Sequence, residues 1–233
     1  MRGWAVTAEM TLRDMLGRRT VVVLLVLVPL VFYAARREDF QGQAVRFACL
    51  GLAWAVSTVA LFSASSARPL EPRLRLAGHG AAGLFVGRLA ATVGVGVLVA
   101  GAYALLVTLD QDTVHPASAV LALLASGALA ATLGLLVGAL VPRELEGMLV
   151  LITLVGLQMI VDPVSTAARL LPLWSTRELI AHAVDGAGDV RAAAAHGLAY
   201  GGGMLALALV LTCARLRRRR HLVHHPRPAA TGA

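Results

Sequence analysis

FACLGLAWAVSTVALFSASSA (residues 47–67), RPLEPRLRLAGHGAAGLFVGR (68–88) and LAATVGVGVLVAGAYALLVTL (89–109) follow one another directly, and their contrast decides the fold. The outer two hold no acidic or basic residue over 21 positions each. About 20 such residues in a helix cross a hydrocarbon core. The link between them carries Arg68, Arg73, Arg75 and Arg88 against one acid, Glu71. Pro72 follows that acid and Gly78 comes soon after. The order predicts a short helix with Pro in its first turn, an acid at its positive end and a Gly stop. Leu70, Leu74 and Leu76 give it an apolar surface for a partner. The link therefore reads as a lever: a partner pushes on it and the flanking spans move.

The rest of the chain has the same character. Of 233 residues, 58% are hydrophobic and 15% charged, with mean hydropathy +0.76. A soluble domain carries about a quarter charged residues. All 21 basic residues are Arg. Without Lys there is no GxxxxGK[ST] phosphate loop, no Schiff base and no pyridoxal chemistry. The net charge of +8 is assigned to membrane topology and anionic lipid rather than to nucleic acid. Cys49 and Cys213 lie in apolar runs and read as small buried hydrophobes. There is no CxxC and no His/Cys cluster, and His221, His224 and His225 stand in an Arg-rich tail, so no metal or cofactor site is predicted.

Residues 1–19 predict an amphipathic interfacial helix, with Trp4, Ala8, Leu12 and Met15 at helical spacing. Its acids, and the lack of a small-x-small site after the next run, argue against a signal peptide. Residues 20–214 predict an all-α membrane domain of six transmembrane helices: 20–35, 47–67, 89–109, 117–141, 147–161 and 192–214. The coupling loop is 68–88. Residues 162–191 are too mixed to cross a bilayer and predict a broken hairpin of two short helices, 164–171 and 175–184, interrupted at Pro172. Residues 215–233 form a basic tail. With this layout fifteen arginines lie on the face bearing both termini and the lever, and six on the other. The positive-inside rule places the first face in the cytoplasm.

This order of parts resembles the membrane (permease) subunit of bacterial type-2 ABC exporters. EPRLRLAGHGAAGLFVGR is similar to that family's coupling loop, PRELEGMLVLITLVGLQMIVDP to its fifth helix, and ARLLPLWSTRELIAHAVDG to its re-entrant hairpin. Glu71 is followed here by Pro72 where the family usually has Glu-Gly. The resemblance implies a multi-pass protein of the bacterial cell membrane. It would pair with a second copy or a sibling permease and be driven by separate ABC ATPase subunits, where ATP and Mg would bind. It implies ATPase coupling through Glu71, Arg73, Leu74, Arg75 and Leu76, with Glu144 and Glu146 near the same face. It implies a substrate path at Trp54, Ser57, Phe62, Thr153, Gln158 and Met159, serving a hydrophobic or amphipathic cargo such as an antibiotic, peptide or lipid.

Each residue also has a plainer role open to it. Gln158, the only amide within the six spans, serves equally as a helix–helix hydrogen bond. Glu144 and Glu146 suit a helix N-terminus and Arg143. The lever arginines suit anionic lipid. Two other functions stay open. LASGALAATLG and AAHGLAYGGG resemble the Ser and His patches of rhomboid intramembrane proteases, with Ser126 as nucleophile and His196 as base. The chain could also be a non-catalytic membrane anchor or immunity protein.

Overall fold

The computed structural model describes residues 3–38, 42–162 and 165–218, and among these every regular element is helical. The elements are α1 (Gly3–Gly17), α2 (Arg19–Ala34), α3 (Gln43–Ala67), α4 (Glu71–Leu76), α5 (Ala81–Asp110), α6 (Pro116–Leu140), α7 (Glu144–Ile160), a 3-10 turn (Thr166–Leu170), α8 (Trp174–Asp185) and α9 (Val190–Arg218). The predicted tail lies outside the described residues from 219 onward, as do its three histidines.

Four helices are long and apolar enough to cross a membrane: α3, α5, α6 and α9. α1 and α2 meet at 78° and make a fifth if the bent pair counts as one broken span. The expected six spans are thus supported only as four or five. α2 has 16 residues and α7 has 17. At 1.5 Å per residue they reach roughly 24–26 Å, less than a core of about 30 Å. The cause is local. Arg18 takes an extended backbone (φ −92°, ψ 91°) between α1 and α2. α7 begins after Pro142 and ends just before Asp162.

The predicted boundaries shift in two places. α5 starts at Ala81, so the second part of the lever is already the start of a long helix. α9 runs on into the predicted tail. Both extensions carry arginines, Arg88 and Arg215, that find a partner inside the fold. The short helix predicted after Leu70 is present as α4, with Pro72 in its first turn and Gly78 at φ 90° beyond its end. An L side chain is strained at that φ, so glycine suits the stop. Where two short helices are expected, the described residues hold a 3-10 turn and one helix, α8.

α3 is the axis of the bundle. It packs on α6, α2, α7 and α5, and 78% of its apolar window is buried, against 17% for α9. Small residues allow the close approach. A Cβ on Gly127 of α6 would stand 2.7 Å from the Gly96 carbonyl oxygen of α5. Gly134 and Gly138 sit against Ser57, Ala60 and Ala64 of α3 in the same way. Pro29 lacks the amide that would continue the α2 ladder. Beside it, the Tyr103 hydroxyl donates to the Val26 carbonyl from α5. Away from these contacts the surface is apolar, with Val23, Leu27, Leu98, Leu105, Ile152, Leu198 and Val210 exposed. A membrane-inserted bundle presents such faces to lipid.

Candidate functional site

Two constellations sit at opposite ends of α3. At its C-terminal end, α4 stands on a single carboxylate. Glu71 is 2% exposed. One oxygen accepts from Arg88 of α5 at 3.0 Å and the other from Arg215 of α9 at 2.5 Å. Arg88 is itself buried. A charge at such a site needs a partner, and here one carboxylate serves two guanidinium groups. The short helix is therefore fastened to the first turns of one long helix and the last turns of another. The opposite side of α4 is open: Leu76 is 91% exposed, and Leu70 and Arg73 are also exposed. Leu74 and Arg75 are half-buried, and Arg75 donates to the His79 carbonyl at 3.1 Å. Gly3 and Trp4 of α1 face residues 77–80 and Gly83 across a shallow cavity, so α1 and the lever share one surface.

Glu71 thus parts from its predicted companions. Sequence reading put it among residues facing a partner; its carboxylate instead points into the fold. Arg68 departs in the same way. It donates to the Pro142 carbonyl at 2.5 Å and to the carbonyls of Gly138 and Val141. These are C-terminal acceptors of α6 with no intrahelical donor, and a cation suits that end of a helix. Arg68 so ties the lever to the α6–α7 turn. There Glu144 is exposed, and Glu146 pairs with Arg143 at 3.1 Å.

The second constellation lies where α3 begins and α7 ends. A cavity of about 240 Å³ opens between α3, α6, α7, α8 and the segment before α8. Arg46, Arg177, Gln158 and Thr176 supply its polar wall, and Phe47, Leu50, Leu173 and Ile180 its apolar one. Of the predicted substrate path, only Gln158 and Met159 reach it. Ser57 is fully buried against α6 and donates to the Trp54 carbonyl at 3.3 Å. Trp54 packs edge-on against Phe32 of α2, with ring centroids 5.3 Å apart. Phe62 is half-buried toward the α4 end, and Thr153 is exposed on α7.

Ser126 and His196 are not joined. Ser126 donates to the Cys49 carbonyl at 2.9 Å. His196 Nε2 bonds the Arg169 carbonyl at 2.9 Å, its ring stacks on Tyr200, and its Nδ1 has no partner among the described residues. Neither cysteine is bonded to another, and the described residues hold no cluster of metal-ligating side chains. Compared with known proteins, the chain matches no protein-family model and no curated protein sequence.

Proposed function

We propose that this chain is the permease subunit of an ATP-driven exporter. It would move a hydrophobic or amphipathic cargo out of a bacterial cell, with a separate ATPase docking on α4 from the cytoplasm. The observation that carries this reading is the construction of α4: an exposed Leu/Arg face on a short helix whose far side is fastened to two long helices through Glu71. A partner that moves α4 must move α5 and α9 with it, because releasing Glu71 strands a buried charge. Coupling requires such a mechanical path between two states of the membrane part. Leu70, Arg73 and Leu76 would meet the ATPase, Glu71 would transmit, and Glu144 and Glu146 would flank the contact. Six membrane crossings, with α2 and α7 as the short ones, and pairing with a second permease copy or a sibling complete the reading. The protease alternative is disfavoured because the Ser126 hydroxyl and the His196 imidazole are committed to different main-chain carbonyls.

The test is purification from native membranes in mild detergent, with co-eluting proteins identified and ATP turnover measured. The expected result is a stoichiometric ATPase whose association is lost on Arg73→Glu with Leu76→Glu, while the variant stays folded. A chain that elutes without any nucleotide-hydrolysing partner, yet shows full biological activity alone in vesicles, overturns the proposal.

A further inference from the structure

The cavity at the start of α3 is built for a charged guest. Arg46 and Arg177 both line it, and among its described lining residues there is no carboxylate. Two like charges on one small cavity repel and lose water, which costs free energy unless an anion enters. Burial, and after it the charge of Arg46, push the Arg177 guanidinium below its usual range, while Asp162 and Glu178 act in the opposite direction. The contacts within the protein are partial. Arg46 reaches Asp185 only at 3.9 Å, with the two side chains 40% and 57% exposed. Arg177 spends one donor on the Val161 carbonyl at 3.1 Å.

Three residues that line the cavity also each carry a polar atom with no partner among the described residues. Arg46 Nε, Gln158 Nε2 and Thr176 Oγ1 are each buried and have no hydrogen-bond partner among the described residues. Thr176 is only 4% exposed. Buried donors are satisfied in the great majority of native sites, and leaving one unmet costs free energy. Arg46, Gln158 and Thr176, from α3, α7 and α8, thus line one cavity with Arg177, and their donors, once rotated into it, complement an oxygen-rich anion. Gln158 Nε2 thus donates no helix–helix bond among the described residues. The other wall is apolar, and Met159 leads out of the cavity to Ile160, which is 80% exposed. At about 240 Å³ the space is smaller than a drug-sized site of roughly 300–1,000 Å³. It suits a head group with the start of its chain.

We propose that this cavity binds the anionic head, carboxylate or phosphate, of an amphiphile whose apolar chain leaves along the exposed face of α7. Arg46 and Arg177 contact the head, Thr176 and Gln158 donate to its oxygens, and Phe47, Leu50 and Ile180 cover the first carbons. The guest is either a free acid or a membrane phospholipid; both present this chemistry. The site belongs to one subunit and does not depend on the exporter reading.

The experiment is spin-label binding to the full chain in phosphatidylcholine bilayers, with three probes labelled on the acyl chain: stearate at alkaline pH, phosphatidylglycerol and phosphatidylcholine. Immobilised probe is counted per protein. The expected result is a saturable site for an anionic probe above the phosphatidylcholine background. Arg46→Gln with Arg177→Gln should weaken it about tenfold or more, as loss of charge-assisted bonds implies. Selective capture of stearate assigns the site to a free acid; selective capture of phosphatidylglycerol assigns it to lipid. Thr176→Val, nearly isosteric, guards against a folding artefact and should weaken binding severalfold with an unchanged circular dichroism spectrum. Arg46→Lys with Arg177→Lys should retain most of the binding. No anionic excess over phosphatidylcholine, or an excess untouched by both Arg46→Gln/Arg177→Gln and Thr176→Val, overturns the proposal.

Discussion

Replacing Glu71 by Gln should be among the most damaging conservative changes in this chain. The carboxylate faces Arg88 at 3.0 Å and Arg215 at 2.5 Å, and the Arg88 side chain is 6% exposed. With glutamine in place, Arg88 keeps its charge and loses its counter-ion where water cannot reach it. Breaking a buried pair in this way costs roughly 3–5 kcal/mol. Arg215→Gln should cost only about 1.5–2 kcal/mol, because Glu71 keeps Arg88 and only one charge-assisted bond is lost. Glu71→Leu combined with Arg88→Met removes both buried charges and should recover much of the loss, since apolar replacement of a buried pair is often near neutral. Arg215, whose side chain is 25% exposed, can then turn to water. The assay is unfolding of the purified protein in mixed micelles by rising SDS, followed by far-ultraviolet circular dichroism. A Glu71→Gln penalty under about 1 kcal/mol, or a double variant as poor as the sum of its singles, refutes the clasp as drawn.

Gly127→Ala should destabilise by about 1–3 kcal/mol by driving α6 from α5, whereas Gly94→Ala, with nothing within 4 Å of the new Cβ, should gain about 0.5–1 kcal/mol on the same assay. Arg68→Ala uncovers the end of α6; a loss of about 1–2 kcal/mol is expected, with faster amide exchange around residues 138–143. Ser126→Ala should cost only about 1 kcal/mol, the worth of its bond to Cys49. The parent protein should take up no fluorophosphonate label at Ser126; labelling there would restore the protease reading.

Much of the architecture was legible from composition and order. Uncharged runs long enough for hydrocarbon announced α3, α5, α6 and α9, since apolar length alone decides whether a helix suits a membrane. Pro72 and Gly78 announce α4, because proline fixes φ at the helix start and glycine permits the positive φ beyond its end. Other features were hidden, because they join residues far apart in the chain. Nothing near Glu71 reveals that Arg215, 144 positions away, completes its charge. An exposed and a buried carboxylate look alike in a one-dimensional string. In the sequence Arg68 is one more lever arginine; only packing sets the end of α6 beneath it. Gln158 stands out in the sequence as an amide in an apolar run, but the residues that line its cavity, Arg46 and Thr176, come from other helices. Hydrophobic length and backbone stereochemistry act locally and can be read along the chain; the pairing of buried charges and the convergence of unmet donors depend on distance in space, and only packing sets that distance.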